Sequence, residues 1–455
     1  MPPTRRTVLL GLGAAPLAIS CTGSQKPPLS NDTGDSAPPP SAPARSPEPA
    51  PWAAPGSEDR GLFPYGVQAG DAVADEVLLS VRTGATSVIL VVMAGENEAW
   101  TEMIRETLTR EDSAVRVAHT LSSLQADTVY NYAFYAEEDQ LRSIVGRFRT
   151  APAPESAPRI VQFNATSCLN DPGAPWPSMV ATASDHADFF CLLGDTVYAD
   201  GSVSLGDYRA CYDLALATEG LYVTTASTSV IATWDDHEVD NNWDPETIPP
   251  EQLTAALAAF REALPQRSGP SGGIYRRLSW GPTLDVFVLD CRGERGGGRY
   301  ISPEQMSWFK EGLAASTARF KIVLNSVPIN DYTDVFGTAY AEDRWQGYPA
   351  ERDEILSFIS GTPIPGVLWV TGDMHHEMVC HPEGPGTSGW EVAVGPAGST
   401  PNVLAAIYED TTGHYLYLDA VWSTTRFVCD PGTGHITVTF VGDDGGILWE
   451  GVLDL

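Results

Sequence analysis

The chain predicts an α/β layered domain preceded by a small antiparallel β-sandwich. Three observations carry that expectation. After Arg159, short apolar runs such as Phe189 to Leu193 and Val367 to Val370 alternate with helical stretches such as Pro250 to Leu264 and Pro303 to Ala315. Such runs bounded by turn residues read as strands buried on both faces, and strands alternating with helices give a layered α/β architecture. From Gly61 to about Thr150 the texture differs: Val77 to Val81, Ser87 to Met93, Ala114 to Ala118 and Thr128 to Tyr135 follow one another with turn residues at short intervals, as in a sandwich.

At the amino end, Thr4-Arg5-Arg6-Thr7-Val8-Leu9 opens an apolar stretch to Ile19, followed by small residues and Cys21. This pattern resembles a twin-arginine export signal, an address and not a membrane span. Leu17-Ala18-Ile19-Ser20-Cys21 also resembles a lipoprotein cleavage site, with the leucine one place too far upstream. Residues 1–21 are thus expected as an export signal, and Cys21 as a candidate membrane tether. Residues 22–60, dominated by Pro, Ala and Ser, cannot bury a core and are expected as an extended linker. The sandwich follows over 61–151, Ala151-Pro152-Ala153-Pro154 reads as a hinge, and the layered domain occupies 158–455, its tail from Tyr415 returning to strands.

The 455 residues exceed one small core, and no internal stretch is apolar enough to span a bilayer. With 27 basic against 59 acidic residues the net charge is −32, and the lysines are Lys26, Lys310 and Lys321 alone. Such a surface repels phosphate backbones and excludes a basic nucleic-acid footprint. An anionic substrate would need local positive charge from metal ions or placed arginines. The acidity itself has an ordinary reading as solubility or salt adaptation. Among seven cysteines, Cys191 and Cys291 lie on apolar runs as expected buried thiols, and a bridge between Cys380 and Cys429 is one open possibility.

Function is signalled where the apolar runs end. Ile160 to Phe163 leads to Cys168, and Phe189 to Leu193 leads to Gly194-Asp195-Thr196-Val197-Tyr198. Val230 to Trp234 leads to Asp235-Asp236-His237-Glu238, Ile322 to Leu324 leads to Asn325, and Val367 to Val370 leads to Gly372-Asp373-Met374-His375. In α/β sheets, ligands gather outside the carboxyl ends of the strands. A carboxylate such as Asp195 can bridge two cations. Tyr198, three residues on, suits only a strong Lewis acid because a phenol ionises near pH 10. Cys168 and His375 suit a transition metal, whereas Asp236, Asn325 and Asp373 offer oxygen to a harder ion. Unequal ligand sets suggest a mixed-metal pair, and two ions about 4 Å apart can clamp a phosphate and activate water. Taken singly, Asp195 could be a turn former, Tyr198 a packing residue and Cys168 a small buried hydrophobe.

The motifs Ser167-Cys168, Gly194-Asp195-x-x-Tyr198, Trp234-Asp235-Asp236-His237-Glu238-Val239-x-Asn241-Asn242 and Gly372-Asp373-x-His375 together resemble the PhoD-like (alkaline phosphatase D) family of calcineurin-like metallophosphoesterases. Leu289-Asp290-x-Arg292, Ser302-Pro303-Glu304-Gln305-x-x-Trp308 and Trp345-x-Gly347-Tyr348-Pro349-Ala350-Glu351-Arg352 support the resemblance, as does Tyr65-Gly66-Val67-x-x-Gly70-Asp71. It implies a four-layer domain, two mixed sheets flanked by helices, after an immunoglobulin- or fibronectin-like sandwich. It further implies Fe(3+) held by Cys168, Asp195, Tyr198 and His375, with Asp195 bridging, and Ca(2+) held by Asp236 and Asp373 with Asn325 near them. His237 would contact the phosphoryl group and protonate the leaving oxygen. Arg292 is expected as a phosphate contact or, alternatively, a fold-stabilising ion pair. Asn241 and Asn242 would shape the loop or touch substrate. Leu169, Ser326 and Ser80 depart from the family pattern, which bears on substrate preference and removes no ligand.

The implied reaction is hydrolysis of phosphate mono- or diesters by a metal-activated hydroxide, in an exported protein expected as a monomer. Alternatives are a phospholipase D-type or teichoic-acid-directed phosphodiesterase and, in another class, a catalytically silent surface binding protein.

Overall fold

Two β-sheets packed face to face form the centre of the α/β domain, because strands whose residues are apolar on both sides need cover on both sides. The computed structural model describes residues 49–455 except 97–98, 111–115, 138–139, 338–340, 363, 385–386 and 388. The expected export signal and Cys21 lie outside the described residues, as does most of the expected linker.

The first sheet has nine strands in the order Ile447–Asp454, His435–Gly442, Ser423–Asp430, Val161–Thr166, Phe189–Leu193, Ser229–Thr233, Val67–Gly70, Glu76–Arg82 and Arg116–Ser122. The second has seven, in the order Arg276–Trp280, Leu284–Val288, Phe320–Asn325, Val367–Thr371, Trp390–Ala393, Glu377–Cys380 and Tyr415–Asp419. Inward residues such as Phe163, Phe189, Ile231, Val286, Ile322 and Val370 share one core. The opposite faces are covered by helices. Phe190, Leu192 and Val230 meet Tyr212 and Phe260 on Leu205–Ala217 and Pro250–Ala263, and Phe287, Val323 and Trp369 meet Phe309 and Ile355 on Pro303–Ala315 and Pro349–Gly361. The four-layer α/β class is therefore borne out.

At the amino end, a six-stranded sheet includes Ser87–Glu96, Ala99–Thr109 and Val129–Glu137. Its Val88, Leu90, Val92, Tyr132 and Phe134 pack on Val67, Val77, Leu79, Val81 and Val117. The second layer of this sandwich is thus the end of the nine-stranded sheet, joined where Val230 pairs in parallel with Gly70. The junction requires glycine there, since a Cβ on Gly70 would lie 1.7 Å from the Pro265 carbonyl oxygen. The charged strand Ala99–Thr109 gave no apolar pattern because nearly all of it is exposed or half-buried. The last part of the expected linker also differs. Ser57–Glu58 pairs with Leu141–Arg142, and Trp52 packs against Val91, Ala133 and Tyr135, because a buried aromatic outweighs the surrounding prolines. The six described cysteines are all free, so no Cys380–Cys429 bridge forms; the two belong to different cores. Among the described residues no helix is long and apolar enough to cross a membrane.

Candidate metal centre

Parallel register brings the strand ends together. Val161–Thr166 pairs with Phe189–Leu193, which pairs with Ser229–Thr233, so Cys168, Asp195 and Asp236 leave the sheet side by side. In the facing sheet Asn325 is registered against Thr371, two residues before Asp373. The turns that follow are tight. Cys168, Asp195, Asp373 and His375 all adopt left-handed φ, at 60, 52, 66 and 54°. Each such non-glycine residue costs on the order of 1–3 kcal/mol and persists only where its surroundings hold it, as at functional sites. Gly194, at φ 89°, allows the closest approach, since a Cβ would lie 2.4 Å from that of Asp235.

Three overlapping groups of ligand atoms result, each within 4.8 Å: Cys168, Asp195 and His375; Asp195, Asp236 and His237; and Asp235, Asp236 and Asp373. Asp195 belongs to both of the first two, the position of a bridging carboxylate. The Tyr198 hydroxyl lies 3.1 Å from Asp195 Oδ2, 3.2 Å from His375 Nε2 and 2.5 Å from Ser399 Oγ. His375 Nδ1 lies 3.1 Å from the Thr400 carbonyl oxygen, which leaves Nε2 for the centre. Burial lowers the His375 pKa, favouring the neutral imidazole a ligand needs.

The electrostatics suit cations. Burial first, and then Asp236, Asp235 and Glu238, push the Asp195 carboxyl well above the ordinary range; burial and Asp235 do the same to Asp373. Burial and Asp195 raise the Cys168 thiol and the Tyr198 phenol. The protein alone therefore disfavours the ionised forms of these groups, and bound cations are what would stabilise them. Asp236 is lowered although burial opposes it, because Arg292, His237 and the Asn242 N–H outweigh burial. The Asn242 amide lies 3.2 Å from Asp236 Oδ2 and 2.8 Å from Asp343 Oδ2. With its nitrogen turned inward it donates to both; with its oxygen inward, the three oxygens make a cradle for a cation. Both the soft and the hard donor sets thus fit metal ions.

Arg292 takes the second of its two expected roles, and Asn325 departs from its expected one. Arg292 is fully buried and grips Asp235 bidentately, Nε and Nη2 at 2.8 Å, while Nη1 pairs with Asp343. Asp236 and Asp373 oxygens lie 3.7 Å from Nη2. Its donors face four aspartates, so it is an ion-pair centre and not a phosphate contact. Asn325 was expected beside the harder ion. Its Oδ1 instead accepts from the Cys291 thiol at 2.8 Å and from Trp345 Nε1 at 3.3 Å. Because the indole only donates, the oxygen is fixed toward it and cannot serve as the metal-ligating atom.

Other residues had no role assigned from the sequence, although Glu238 stands in one of its motifs. Glu238, fully buried, accepts from the backbone N–H groups of Asp195, Thr196 and Asp235 at 3.0, 2.6 and 2.9 Å, tying both ligand turns together. Asp200 holds His237 Nδ1 at 2.8 Å and accepts from the Asn241 N–H at 2.7 Å. Its place, two residues after Tyr198 in the same turn, was the available signal. Asp343 and Ser399 had none, since each reaches the centre from a loop distant in sequence. A cleft of about 420 Å³ lies over the centre, lined by Asp373 and His375 together with Asn241, Asn242 and Arg344.

Residues 163–417, more than half the chain, match the family model described as PhoD-like phosphatase. The chain belongs to the PhoD-like phosphatase family. Residues 49–152 match the PhoD-like phosphatase N-terminal domain. Alkaline phosphatase D of Bacillus subtilis (strain 168) is 25% identical over 381 residues, covering 69% of this chain and 64% of that protein, so the match spans just under two thirds of the relative. A solved structure of PhoD superposes with a TM-score of 0.74 at 21% identity, covering 86% of this chain and 89% of the other. Purple acid phosphatase PPD1 from yellow lupin (Lupinus luteus) seeds gives 0.63 at 14% identity, covering 86% and 74%. Both share the fold with this PhoD-like chain.

Behind the centre, His376 is buried with no side-chain partner for either ring nitrogen. Burial first, and then the charge of His375, lower its pKa from 6.5 to about 3. Folding therefore holds the neutral ring. The stability it contributes is complete above pH 6.5 and lost as pH falls toward 3. A His376→Leu variant is expected to show a shallower fall in denaturant midpoint across that window; an unchanged slope would count against this account.

Proposed function

We propose that the protein is an exported metal-dependent phosphoesterase, hydrolysing phosphate mono- or diesters at a mixed-metal centre. The observation that carries this reading is the place of Asp195 in two ligand groups at once, one with Cys168 and His375 and one with Asp236 and His237. Cys168, Asp195, Tyr198 and His375 would hold ferric iron, since phenolate and thiolate match a strong Lewis acid. Asp236 and Asp373, whose oxygens suit a hard cation, would hold calcium. The ions, when bound, supply Lewis acidity that lowers the pKa of water and neutralises charge developing on the phosphoryl oxygens.

The chain's own groups do the rest. Asp200 holds His237 Nδ1, so Nε2 is the nitrogen left to deliver a proton to the leaving oxygen. The Tyr198 ring lies against the imidazole, centroids 4.1 Å apart, and limits its rotation. Glu238 fixes the two turns that present Asp195 and Asp236. The export signal at Arg5-Arg6 supports a location outside the cytoplasm and, through Cys21, a membrane tether.

The test is elemental analysis of the exported full chain, with turnover of an aryl phosphomonoester compared with its diester. Iron and calcium are expected in the protein, with loss of both metal and activity on chelation. A protein that binds neither metal, or binds them and hydrolyses neither ester, sinks the proposal.

A further inference from the structure

Beside the cleft, the helical turn Val403–Ile407 places its apolar side chains the wrong way round. Val403, Leu404 and Ile407 lie on one face by helical spacing, a pattern that ordinarily faces a core. Here they are 67, 51 and 73% exposed, and only Ala405 is buried. Leu404 lines the cleft, as do half-buried Phe336 and Met374, in continuity with Asp373 and His375. The turn is fixed relative to the centre: the Asn402 backbone N–H donates to the His375 carbonyl at 2.8 Å, and its side chain to the Met374 carbonyl at 3.1 Å.

Resting on the phosphoesterase reading above, we propose that this apolar wall is the subsite for the substrate's organic group, with Leu404 setting a preference for esters of apolar alcohols or phenols. A single phosphoryl group leaves most of the cleft of about 420 Å³ unfilled, and pockets of that size hold ligands with substantial apolar surface. With the phosphoryl group at the metal centre that Asp373 and His375 border, the remainder of the ester would meet Met374, Phe336 and Leu404. Val403 and Ile407 are exposed on the same helical turn as Leu404.

The experiment measures kcat/KM of the metal-loaded full chain for phosphodiesters with phenyl, hexyl and 2-hydroxyethyl leaving groups. In Leu404→Ser the phenyl:hydroxyethyl and hexyl:hydroxyethyl ratios are expected to fall roughly tenfold, chiefly through KM. A fall confined to phenyl esters identifies an aromatic group as the occupant, and one confined to hexyl esters an aliphatic chain. Ile407→Ser should shift the ratios in the same direction and serves if Leu404→Ser does not fold. Leu214→Ser, at a still more exposed leucine on Leu205–Ala217, should leave them unchanged. Unchanged ratios in both the Leu404 and Ile407 variants overturn the subsite, as does an altered sedimentation coefficient with constant ratios, which would make the turn a contact between copies. If the unaltered chain hydrolyses no ester, the phosphoesterase reading itself has failed.

Discussion

Asp195→Asn is expected to lower turnover by at least about 10³-fold while raising the unfolding temperature of the metal-free protein. Metal-centred charge stabilisation contributes several kcal/mol to such reactions, and each 1.36 kcal/mol is about a factor of ten. Asparagine has one oxygen and no charge to share between two ions, so bridging is lost. In the absence of metal the same change removes one member of a buried cluster that includes Asp235, Asp236, Glu238 and Asp373, whose mutual repulsion and burial already raise the Asp195 carboxyl. The variant should therefore separate two measurements. Calorimetry of chelated protein should show a higher midpoint than for the unaltered chain, and addition of metal should restore less of the stabilisation that binding brings. Full activity in the variant would remove Asp195 from the centre.

Arg292→Met should act on stability first. Removing one partner from a buried ion pair costs about 3–5 kcal/mol, because the charge left behind is unsolvated. Here Asp235 would be stranded and Asp343 left to Arg295 alone, with Asp236 and Asp373 nearby. Denaturant unfolding should show that loss, and adding Asp235→Asn should recover part of it, as expected for residues in contact. A phosphate contact would behave otherwise: KM would rise at unchanged stability, and the second substitution would recover nothing. Observation of that pattern would favour the phosphate-contact role, the other of the two expected from the sequence.

Arg292 also marks how far the sequence could be read. Its motif, Leu289-Asp290-x-Arg292, offered a cation near phosphate or an ion pair, and local spacing cannot choose between them. The choice depends on Asp343, fifty-one residues on, which reaches the guanidinium from a separate loop. Asn325 failed for a similar reason. A strand end places it correctly, but Cys291 and Trp345 decide which way its amide turns.

By itself the sequence determined the alternation of buried strands and helices and the residue types gathered where strands end, because hydrophobic period and turn chemistry are local properties of the chain. Cys168, Asp195, Tyr198, Asp236, Asp373 and His375 were legible on that basis. Only the tertiary structure decided what those side chains face. It made the amino-terminal sandwich share the nine-stranded sheet, assigned Arg292 to four aspartates, supplied Asp200 and Glu238 as supports, and turned Val403, Leu404 and Ile407 toward solvent beside the cleft. Such outcomes depend on which distant segments meet, and hydrogen-bonding direction and burial are settled only at that meeting.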